Sequence, residues 1–397
     1  MVHQAEALHP GALPGRLDCV RILDQDGRRS PHPEFDPYLE HVGPEELKSA
    51  YRSMLMVRRF DDEATSLQRQ GKMALWVPVK GQEAAQIGSA RALAPEDYVF
   101  PSYREHALAF ERGVDLEELM SVFRGYSPGG WDPAEHNFHL YSFVLAAQIP
   151  HAVGYAMGQR LDQRSAAEGS QEEAATTGDD AAGTPARAPL TAVYFGDGSS
   201  TEGEAHEAMV FAASYDAPVL FFIQNNQWAI SVPFATQSRL PLAERAAGYG
   251  FEGIRVDGND ILAVQAVTAY AVEKIRRGEG PVLIEAETYR LGAHTTADDP
   301  TKYRTREEEQ GWTAKDPIVR LEKHLRELGV DEQFFTETEQ EARAFGKKIR
   351  EATLAMTPPP IQRHFENVYA EPNHLVAAEQ AWFEDYEAGF EDQEGQG

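Results

Sequence analysis

Two apolar runs that each end in small polar residues constrain the fold of this chain more than any other feature. Residues 190–195 lead into a Gly-Asp-Gly triplet at 196–198, and residues 219–224 lead into an Asn-Asn pair at 225–226. The residues in between include a predicted helix near 204–214. A strand–helix–strand unit of this length predicts two parallel strands whose carboxyl ends lie side by side.

The polar residues at these two strand ends suit a site for a metal ion and a phosphate. Asp197 and Asn226 each offer a side-chain oxygen, the ligand type that Mg²⁺ prefers. Glycines beside Asp197 let a ligand approach the backbone, and the N-terminus of the following helix favours phosphate. Each motif alone is common in turns, so the indication comes from their spacing. A nicotinamide-binding fold would need a glycine-rich fingerprint, which does not follow this strand.

Other predicted elements continue the alternation of strands and helices. A helix follows Gly43-Pro44 and can end at Gly71; a further helix lies near 260–277, a strand over 281–287, and the chain from Thr305 onward reads as helical. Strands that are almost continuously apolar are typical of a parallel sheet covered by helices on both faces. We therefore predict an α/β fold.

The composition also predicts how the chain is divided. We expect an extended N-terminal arm over 1–43, an α/β domain over 44–330, and a helical C-terminal region with an acidic tail over 331–397. Within the α/β domain, residues 162–189 contain no large apolar side chain. Such a stretch cannot offset the entropy of ordering by burial, so we expect a disordered acidic insertion there.

The overall charge and the cysteine content narrow the classes of function. A net charge of −27 argues against nucleic acid and anionic membranes as partners, because their phosphates attract Lys and Arg. The single cysteine, Cys19, excludes an intrachain disulfide and a cysteine metal cage. No apolar run has membrane-spanning length, and the first residues do not resemble a secretory signal. We therefore expect a cytoplasmic protein.

Several separate motifs resemble the α subunit of the E1 component of 2-oxo acid dehydrogenase complexes, of the branched-chain and heterotetrameric pyruvate types. The resemblance covers residues from about 45 to 160 and from 190 to 330, in the family's order. Its motifs are Gln70-Gly71-Lys72, Gly81-Gln82-Glu83-Ala84, Tyr103-Arg104-Glu105, Gln148-Ile149-Pro150, Gln224–Ser231, Arg255-Val256-Asp257-Gly258-Asn259-Asp260 and Tyr289–Arg304.

The resemblance implies a thiamine-diphosphate-binding fold, with thiamine diphosphate and Mg²⁺ as cofactors. By the family's pattern, Asp197 and Asn226 would bind Mg²⁺ through their side chains, and Trp228 through its carbonyl. His294 would be catalytic, contacting the diphosphate and assisting acyl transfer. The implied cofactor-binding residues are Tyr103, Arg104, Leu145, Gly196, Asp197, Gly198, Ser199, Asn226, Ile230, Arg290 and His294.

The implied reaction is the oxidative decarboxylation of a branched-chain 2-oxo acid such as 3-methyl-2-oxobutanoate, with reductive acylation of the lipoyl group of the E2 acyltransferase. In this family a β subunit supplies the carboxylate that activates the cofactor, which implies an α2β2 heterotetramer active only with its β subunit. Pyruvate is the alternative substrate, and an acetoin dehydrogenase α subunit is a more distant alternative. We expect the pocket width near Leu75, Trp76 and Ser102 to decide the substrate.

A few residues depart from the family's pattern or compete for a role. Gln224 stands where some relatives place an Arg on the diphosphate, which leaves more of the anion binding to Arg104. Glu83 is interpreted as structural, because the activating glutamate belongs to the β subunit. His136 and His139 are three residues apart, but no third ligand follows at a metal-binding spacing, so we interpret them as loop histidines.

Overall fold

The computed structural model describes residues 18–177, 188–366 and 368–394. The strands of these residues are β1 (Cys19–Val20), β2 (Tyr98–Phe100), β3 (Thr191–Gly196), β4 (Val219–Asn225), β5 (Trp228–Ala229), β6 (Val232–Pro233), β7 (Glu252–Asp257) and β8 (Val282–Glu287). Six of them form one parallel sheet in the order β1-β7-β8-β4-β3-β2. The short strands β5 and β6 form a separate antiparallel pair.

Helices connect the strands and continue beyond them. The helices of the described residues are α1 (Pro44–Arg69), α2 (Glu83–Ala92), α3 (His106–Glu111), α4 (Leu116–Phe123), α5 (Pro133–His136), α6 (Gln148–Thr177), α7 (Gly203–Ser214), α8 (Phe234–Gln237), α9 (Arg245–Tyr249), α10 (Ile261–Arg276), α11 (Arg306–Thr313), α12 (Pro317–Glu327), α13 (Glu332–Ala355) and α14 (His374–Glu394). Short 3-10 turns occur at Asp36–Leu39, Ser199–Thr201, Leu242–Glu244, Pro300–Lys302 and Ile361–His364.

The central strands are buried because apolar layers cover both faces of the sheet. Alternate residues of β3 belong to opposite layers: Tyr194 packs in the layer that includes α1, α2 and α10, whereas Val193 and Phe195 pack in the layer that includes α6 and α7. In β4, Phe222 and Phe221 are divided between the layers in the same way. This two-sided burial is what makes the strands read as continuous apolar runs. The predicted α/β fold is confirmed.

The register of the central strands brings three chain segments to one edge of the sheet. Gly196 at the end of β3 lies opposite Gln224 in β4. On the other side of β4, Asn225 lies opposite Glu287 at the end of β8. The polar residues that follow these three strands therefore leave the sheet at the same edge, and the predicted side-by-side placement of the first two strand ends is confirmed.

Part of the N-terminal segment is built into the core, in contrast to the extended arm expected over 1–43. Strand β1 pairs with β7 at the edge of the sheet, and Ile22, Leu23, Phe35 and Leu39 are buried. The sequence analysis missed β1, β2 and β7, because these strands are very short or alternate polar and apolar residues. Residues 1–17 lie outside the described residues.

Helix α6 runs through residues 162–177, the first part of the segment expected to be disordered. This part is rich in Ala, Gln and Glu, which are strong helix formers, so local helix preference replaces the missing apolar burial. Residues 178–187 of the same segment lie outside the described residues.

The C-terminal region is helical, as predicted, and α13 packs along α1. The division of the chain into domains at residues 43 and 330 stays a prediction. Among the helices of the described residues, none combines the length and the apolar character needed to cross a bilayer.

One buried carboxylate joins the N-terminal segment to the helix that follows β7. Asp260 caps α10 by accepting hydrogen bonds from Leu262 N and Ala263 N, both at 3.1 Å. Its second oxygen accepts hydrogen bonds from Ile22 N at 2.7 Å and from Leu23 N at 2.6 Å. Because it is fully buried, its pKa rises to about 6.

We expect Asp260→Ala to lower the free energy of unfolding by about 3 kcal/mol, because four backbone N–H groups lose their shared acceptor. Asp115→Ala is a matched control, since the exposed Asp115 caps α4 through one bond to Glu117 N at 2.9 Å. Its loss should cost about 1 kcal/mol. Urea unfolding followed by circular dichroism compares the two variants, and equal losses would contradict the role assigned to Asp260.

Candidate active site

A cavity of about 440 Å³ opens at the edge of the sheet where β3 and β4 end. Its lining includes nearly all the residues that the resemblance implied for cofactor binding. These residues are Tyr103, Arg104, Leu145, Gly196, Asp197, Gly198, Ser199, Asn226, Trp228, Ile230 and His294. Arg290 is not among the lining residues, but it donates hydrogen bonds to the backbone of two of them. The structure therefore brings the predicted residues together, whereas their roles stay predictions.

Asp197 and Asn226 lie at the floor of the cavity. Asp197 Oδ2 accepts a hydrogen bond of 2.8 Å from Gln237 Nε2. Burial raises the pKa of Asp197, while this bond and the backbone N–H of Asn226 act in the opposite direction. Asn226 Nδ2 donates to Gln82 Oε1 at 3.2 Å, and Asn226 Oδ1 accepts from Trp228 N at 3.3 Å. The floor thus combines one carboxylate with amide and carbonyl oxygens.

The turn after β4 is conformationally strained. Gln227 has φ of +73° and Ile230 has φ of +53°, a region that a β-branched residue such as isoleucine rarely enters. Arg290 stabilises the turn: Nη1 donates to Trp228 O at 3.2 Å and Nη2 donates to Ile230 O at 2.7 Å. Strain held by surrounding contacts is typical of a functional site.

One wall of the cavity is positively charged. The buried Arg104 donates from Nη2 to His294 O at 3.0 Å and lies 3.2 Å from His294 Nδ1. Asp298 Oδ2 accepts from His294 N at 2.8 Å, which fixes the loop. Burial, and then the charges of Arg104 and Arg290, lower the pKa of His294 to about 3. Burial and the nearby Arg104 also lower the pKa of Arg290 to about 10. Like charges held this close favour an anionic ligand.

The sequence analysis assigned no role to two glutamines of the site. Gln82 is fully buried in the cavity lining, and its Nε2 has no hydrogen-bond partner among the described residues. Gln82 belongs to the motif Gly81-Gln82-Glu83-Ala84, which carries the resemblance, so the sequence already marked this position as a candidate site residue. Gln237, which bonds Asp197, lies eleven residues after Asn226 at the end of the one-turn helix α8, and the sequence gives no indication of it.

Of the three residues expected near the substrate pocket, one lies outside the cavity lining. Leu75 and Ser102 line the cavity, but Trp76 does not. Trp76 is fully buried behind the wall, where its Nε1 donates to Asp61 Oδ1 at 2.7 Å. Its large ring fills the core. Its two sequence neighbours, Leu75 and Val77, line the cavity, and the sequence alone could not show that the side chain between them points the other way.

The remaining candidate residues form hydrogen bonds or ion pairs with other side chains of the protein. Gln224 is committed to its neighbours, donating to Glu105 Oε1 at 2.6 Å and accepting from Gln86 Nε2 at 2.8 Å. The buried Glu83 forms an ion pair with Arg58 and accepts from Gly81 N at 2.9 Å. Of the two histidines interpreted as loop residues, His136 is the last residue of α5, whereas His139 lies outside regular secondary structure. Among the described residues no three His, Cys, Asp or Glu side chains gather as metal ligands.

The chain is similar to known proteins over most of its length. A sequence model of the family described as dehydrogenase E1 component matches residues 51–362. The 3-methyl-2-oxobutanoate dehydrogenase subunit alpha of Mycobacterium tuberculosis (strain ATCC 25618 / H37Rv) is 40% identical over 359 residues, which cover 89% of this chain and 90% of that protein. The pyruvate dehydrogenase E1 component subunit alpha of Bacillus cereus is 36% identical over 80% of this chain and 79% of its own length. That of Acholeplasma laidlawii is 37% identical, over 78% and 81%.

We expect His294 of the ligand-free chain to remain neutral until the pH approaches 3, because its imidazole is largely buried and protonation would add a third positive charge beside two guanidinium groups. The unfolded chain binds this proton near pH 6.5, so this histidine destabilises the fold as the pH falls from 6.5 toward 3. ¹⁵N NMR of the imidazoles measures the midpoint, with His294→Gln identifying the signal. Inorganic diphosphate should raise the titration midpoint of His294. A midpoint near 6.5 without the anion would refute this expectation.

Proposed function

The chain belongs to the dehydrogenase E1 component family. On that premise we propose that it is the α subunit of the E1 component of a branched-chain 2-oxo acid dehydrogenase complex, with thiamine diphosphate and Mg²⁺ as cofactors. It takes part in the oxidative decarboxylation of the 2-oxo acid and in the reductive acylation of the lipoyl group of E2. The observation that carries this proposal is the convergence of Asp197, Asn226, Arg104 and His294 on one cavity.

The positively charged wall fits a diphosphate group. Arg104 offers a buried guanidinium, and Tyr103 and His294 stand beside it in the cavity lining. Gln82 Nε2 is a buried donor without an acceptor among the described residues. An unsatisfied buried donor is costly, and a phosphate oxygen would remove that cost. We propose that these four residues, with the backbone of Gly198 and Ser199, hold the diphosphate.

The floor of the cavity fits Mg²⁺. Asp197 supplies a carboxylate, Asn226 an amide oxygen and Trp228 a backbone carbonyl, all of them hard oxygen donors. Three protein ligands would leave positions for phosphate oxygens and water in an octahedral shell. A bound cation would also stabilise the charged form of Asp197, whose pKa is raised by burial in the free chain. Gln237 holds this carboxylate in place through its hydrogen bond.

Thiamine diphosphate, when bound, supplies the nucleophilic carbon and the electron sink that decarboxylation of a 2-oxo acid requires. The residues of this chain bind the cofactor, orient it and exclude water from it. Ile230 and Leu145 present apolar side chains to the cavity, and the strained turn fixes the position of Ile230 before any ligand binds. The neutral imidazole of His294 can hold a proton beside Arg104, within reach of an acyl group that passes to the lipoyl group.

We propose that a β subunit completes the site, because the described residues leave apolar side chains of the cavity lining exposed. Phe143 and Leu145 line the cavity and are 50% and 42% exposed, and Val144 between them is 71% exposed. Ile230, which also lines the cavity, is 52% exposed. Contiguous exposed apolar side chains around a cavity are typical of a surface that another protein covers. This supports an α2β2 enzyme in which the β subunit contributes the activating carboxylate.

Helices α6 and α7 also expose surface that a partner can cover. At the C-terminal end of α7 the half-exposed rings of Phe211 and Tyr215 stack with centroids 6.1 Å apart. On α6, Gly154 and Gly158 are one turn apart, and a Cβ atom added to either would meet open space. Two such glycines allow the backbone of a neighbouring helix to approach closely. We propose that the interface with the β subunit extends over α6 and α7.

The apolar lining supports a substrate with a branched aliphatic side chain. Leu75, Val77, Phe143 and Leu145 all line the cavity, and the Mycobacterium tuberculosis relative carries a branched-chain 2-oxo acid in its name. Pyruvate is the second candidate, supported by the two pyruvate dehydrogenase relatives. An apolar pocket discriminates by only about 1–3 kcal/mol per methylene, so some activity with both acids is expected.

We expect the chain, reconstituted with its β subunit, thiamine diphosphate and Mg²⁺, to decarboxylate 3-methyl-2-oxobutanoate with kcat/KM about 10-fold or more above that for pyruvate. The preference reflects the extra apolar contact of the branched side chain. The chain without the β subunit is the control and should show almost no turnover. Preference for pyruvate would move the assignment to pyruvate dehydrogenase, and full turnover by the chain alone would refute the shared site.

We expect Asp197→Ala to weaken thiamine diphosphate binding in the presence of Mg²⁺ on the order of 100-fold, because the floor loses its carboxylate ligand. Quenching of tryptophan fluorescence or calorimetry measures the affinity. Glu207→Ala is a matched control, since it removes an exposed carboxylate from α7 without touching the cavity. Circular dichroism checks the fold of both. Equal affinity in the two variants would mean that the predicted metal site is wrong.

A further inference from the structure

Strand β8 carries a carboxylate at a position where its neighbours along the strand are apolar. Glu285 is fully buried and lies on the same face of β8 as Leu283, which packs in the layer that includes α6 and α7. Val282, Ile284 and Ala286 pack in the opposite layer. An apolar side chain would suit this buried face, so the presence of a carboxylate there calls for a reason other than packing.

The hydrogen bonds of Glu285 connect β8 to two other segments of the chain. Its Oε1 accepts from Asn225 Nδ2 at 2.7 Å, and its Oε2 accepts from Ala243 N at 2.9 Å. Asn225 is the last residue of β4, directly before the proposed Mg²⁺ ligand Asn226. Ala243 belongs to the 3-10 turn Leu242–Glu244. Glu285 thus contacts the residue from which the cavity floor begins.

The side chain of Asn225 holds the strained backbone that follows β4. Its Oδ1 accepts from Gln227 N at 3.2 Å, which closes an Asx turn with Asn226 at its centre. Gln227 has φ of +73°, so this bond stabilises a conformation that residues other than glycine rarely adopt. The positions of Asn226 and of the Trp228 carbonyl therefore depend on how the amide group of Asn225 is oriented.

A carboxylate at position 285 determines that orientation. Both oxygens of an ionised carboxylate can only accept hydrogen bonds, so Glu285 must face the NH2 group of Asn225. The amide oxygen of Asn225 then faces Gln227 N. The reverse orientation would place two acceptors against each other at Glu285 and two donors against each other at Gln227 N, and both contacts would be unfavourable in a buried place.

Burial of this carboxylate is unfavourable for folding. It raises the pKa of Glu285 to about 7, while the hydrogen bonds from Ala243 and Asn225 act in the opposite direction. A buried charge stabilises a fold less than a well-packed apolar side chain of similar volume. Residues that oppose stability in this way are concentrated at functional sites, which agrees with a role for Glu285 beside the cavity floor.

We propose that Glu285 is a positioning residue for the Mg²⁺ site. It is not among the residues that line the cavity, and it acts through Asn225. By orienting that amide, Glu285 fixes the turn that presents Asn226 and the Trp228 carbonyl to the cation. That these two groups bind Mg²⁺ rests on the proposed function, whereas the hydrogen bonds that orient the turn do not.

The first test is Glu285→Gln, which keeps the size of the side chain. Its NH2 group must face a donor, either Asn225 Nδ2 or Ala243 N, so one bond is lost or the Asn225 amide turns round. In the cofactor-free chain we expect faster hydrogen exchange over residues 226–230, measured by mass spectrometry above the pKa of Glu285. With the β subunit and thiamine diphosphate, Mn²⁺ binding measured by electron paramagnetic resonance should weaken on the order of 10-fold.

Two further variants separate the amide orientation from other effects of the change. Glu287→Gln removes a carboxylate two residues further along β8, where the side chain pairs with Arg255, and should exchange and bind Mn²⁺ like the original chain. Glu285→Gln combined with Asn225→Asp exchanges donor and acceptor. The new amide donates to the new carboxylate, which still accepts from Gln227 N, so slow exchange and most of the Mn²⁺ affinity should return.

Three outcomes would overturn the positioning role. Unchanged exchange and Mn²⁺ affinity in Glu285→Gln mean that this carboxylate does not hold the turn. A lower urea midpoint without a local change over residues 226–230 means that it only stabilises the fold. Absence of recovery in the double variant means that amide orientation is not the cause. Failure of the proposed function would look different, because the original chain with its β subunit would then bind neither Mn²⁺ nor thiamine diphosphate, whatever the exchange data show.

Discussion

Gly196 at the end of β3 lies opposite Gln224 of β4, and this parallel register fixes where the polar groups of the cavity can lie. A parallel pair sends both carboxyl ends to one edge, so Asp197 and Asn226 meet although 28 residues separate them. The neighbouring pairing of β8 with β4 brings the loop of His294 to the same edge. A slip of one residue in either pairing would turn these side chains into the core.

Several features of the cavity are unfavourable for the free energy of folding, and the rest of the structure must compensate for them. Arg104 and Arg290 are buried near each other, Ile230 has an unfavourable φ, and Gln82 Nε2 lacks a partner among the described residues. Each of these features weakens the fold of the free chain, and each is relieved by an anion, a cation or an apolar ligand of suitable shape. The large two-sided core around β3, β4 and β8 supplies the stability that offsets these unfavourable features.

The fold class and most of the site could be predicted from the sequence, because their signals are local: continuous apolar strands, a Gly-Asp-Gly turn and a recognisable loop around His294. What could not be predicted depends on side-chain direction and on distant contacts. Trp76 lies between residues of the cavity wall yet points into the core, and Gln237 reaches Asp197 from the short helix α8, which the sequence analysis did not predict. Likewise β1 exists only because β7 offers an edge to a two-residue strand.

The order of the sheet has a consequence for synthesis of the chain. Strand β8 occupies a central position between β7 and β4, yet it is the last strand of the sheet to be made. Until residue 287 has left the ribosome, β4 exposes an apolar edge. The pair formed by β1 and β7 also lacks the strand that joins it to the rest of the sheet. A nascent or truncated chain that ends before β8 therefore presents the run Val219–Ile223 to other chains, as an aggregation-prone edge strand. Folding of this subunit must be largely a late event, completed when β8 inserts.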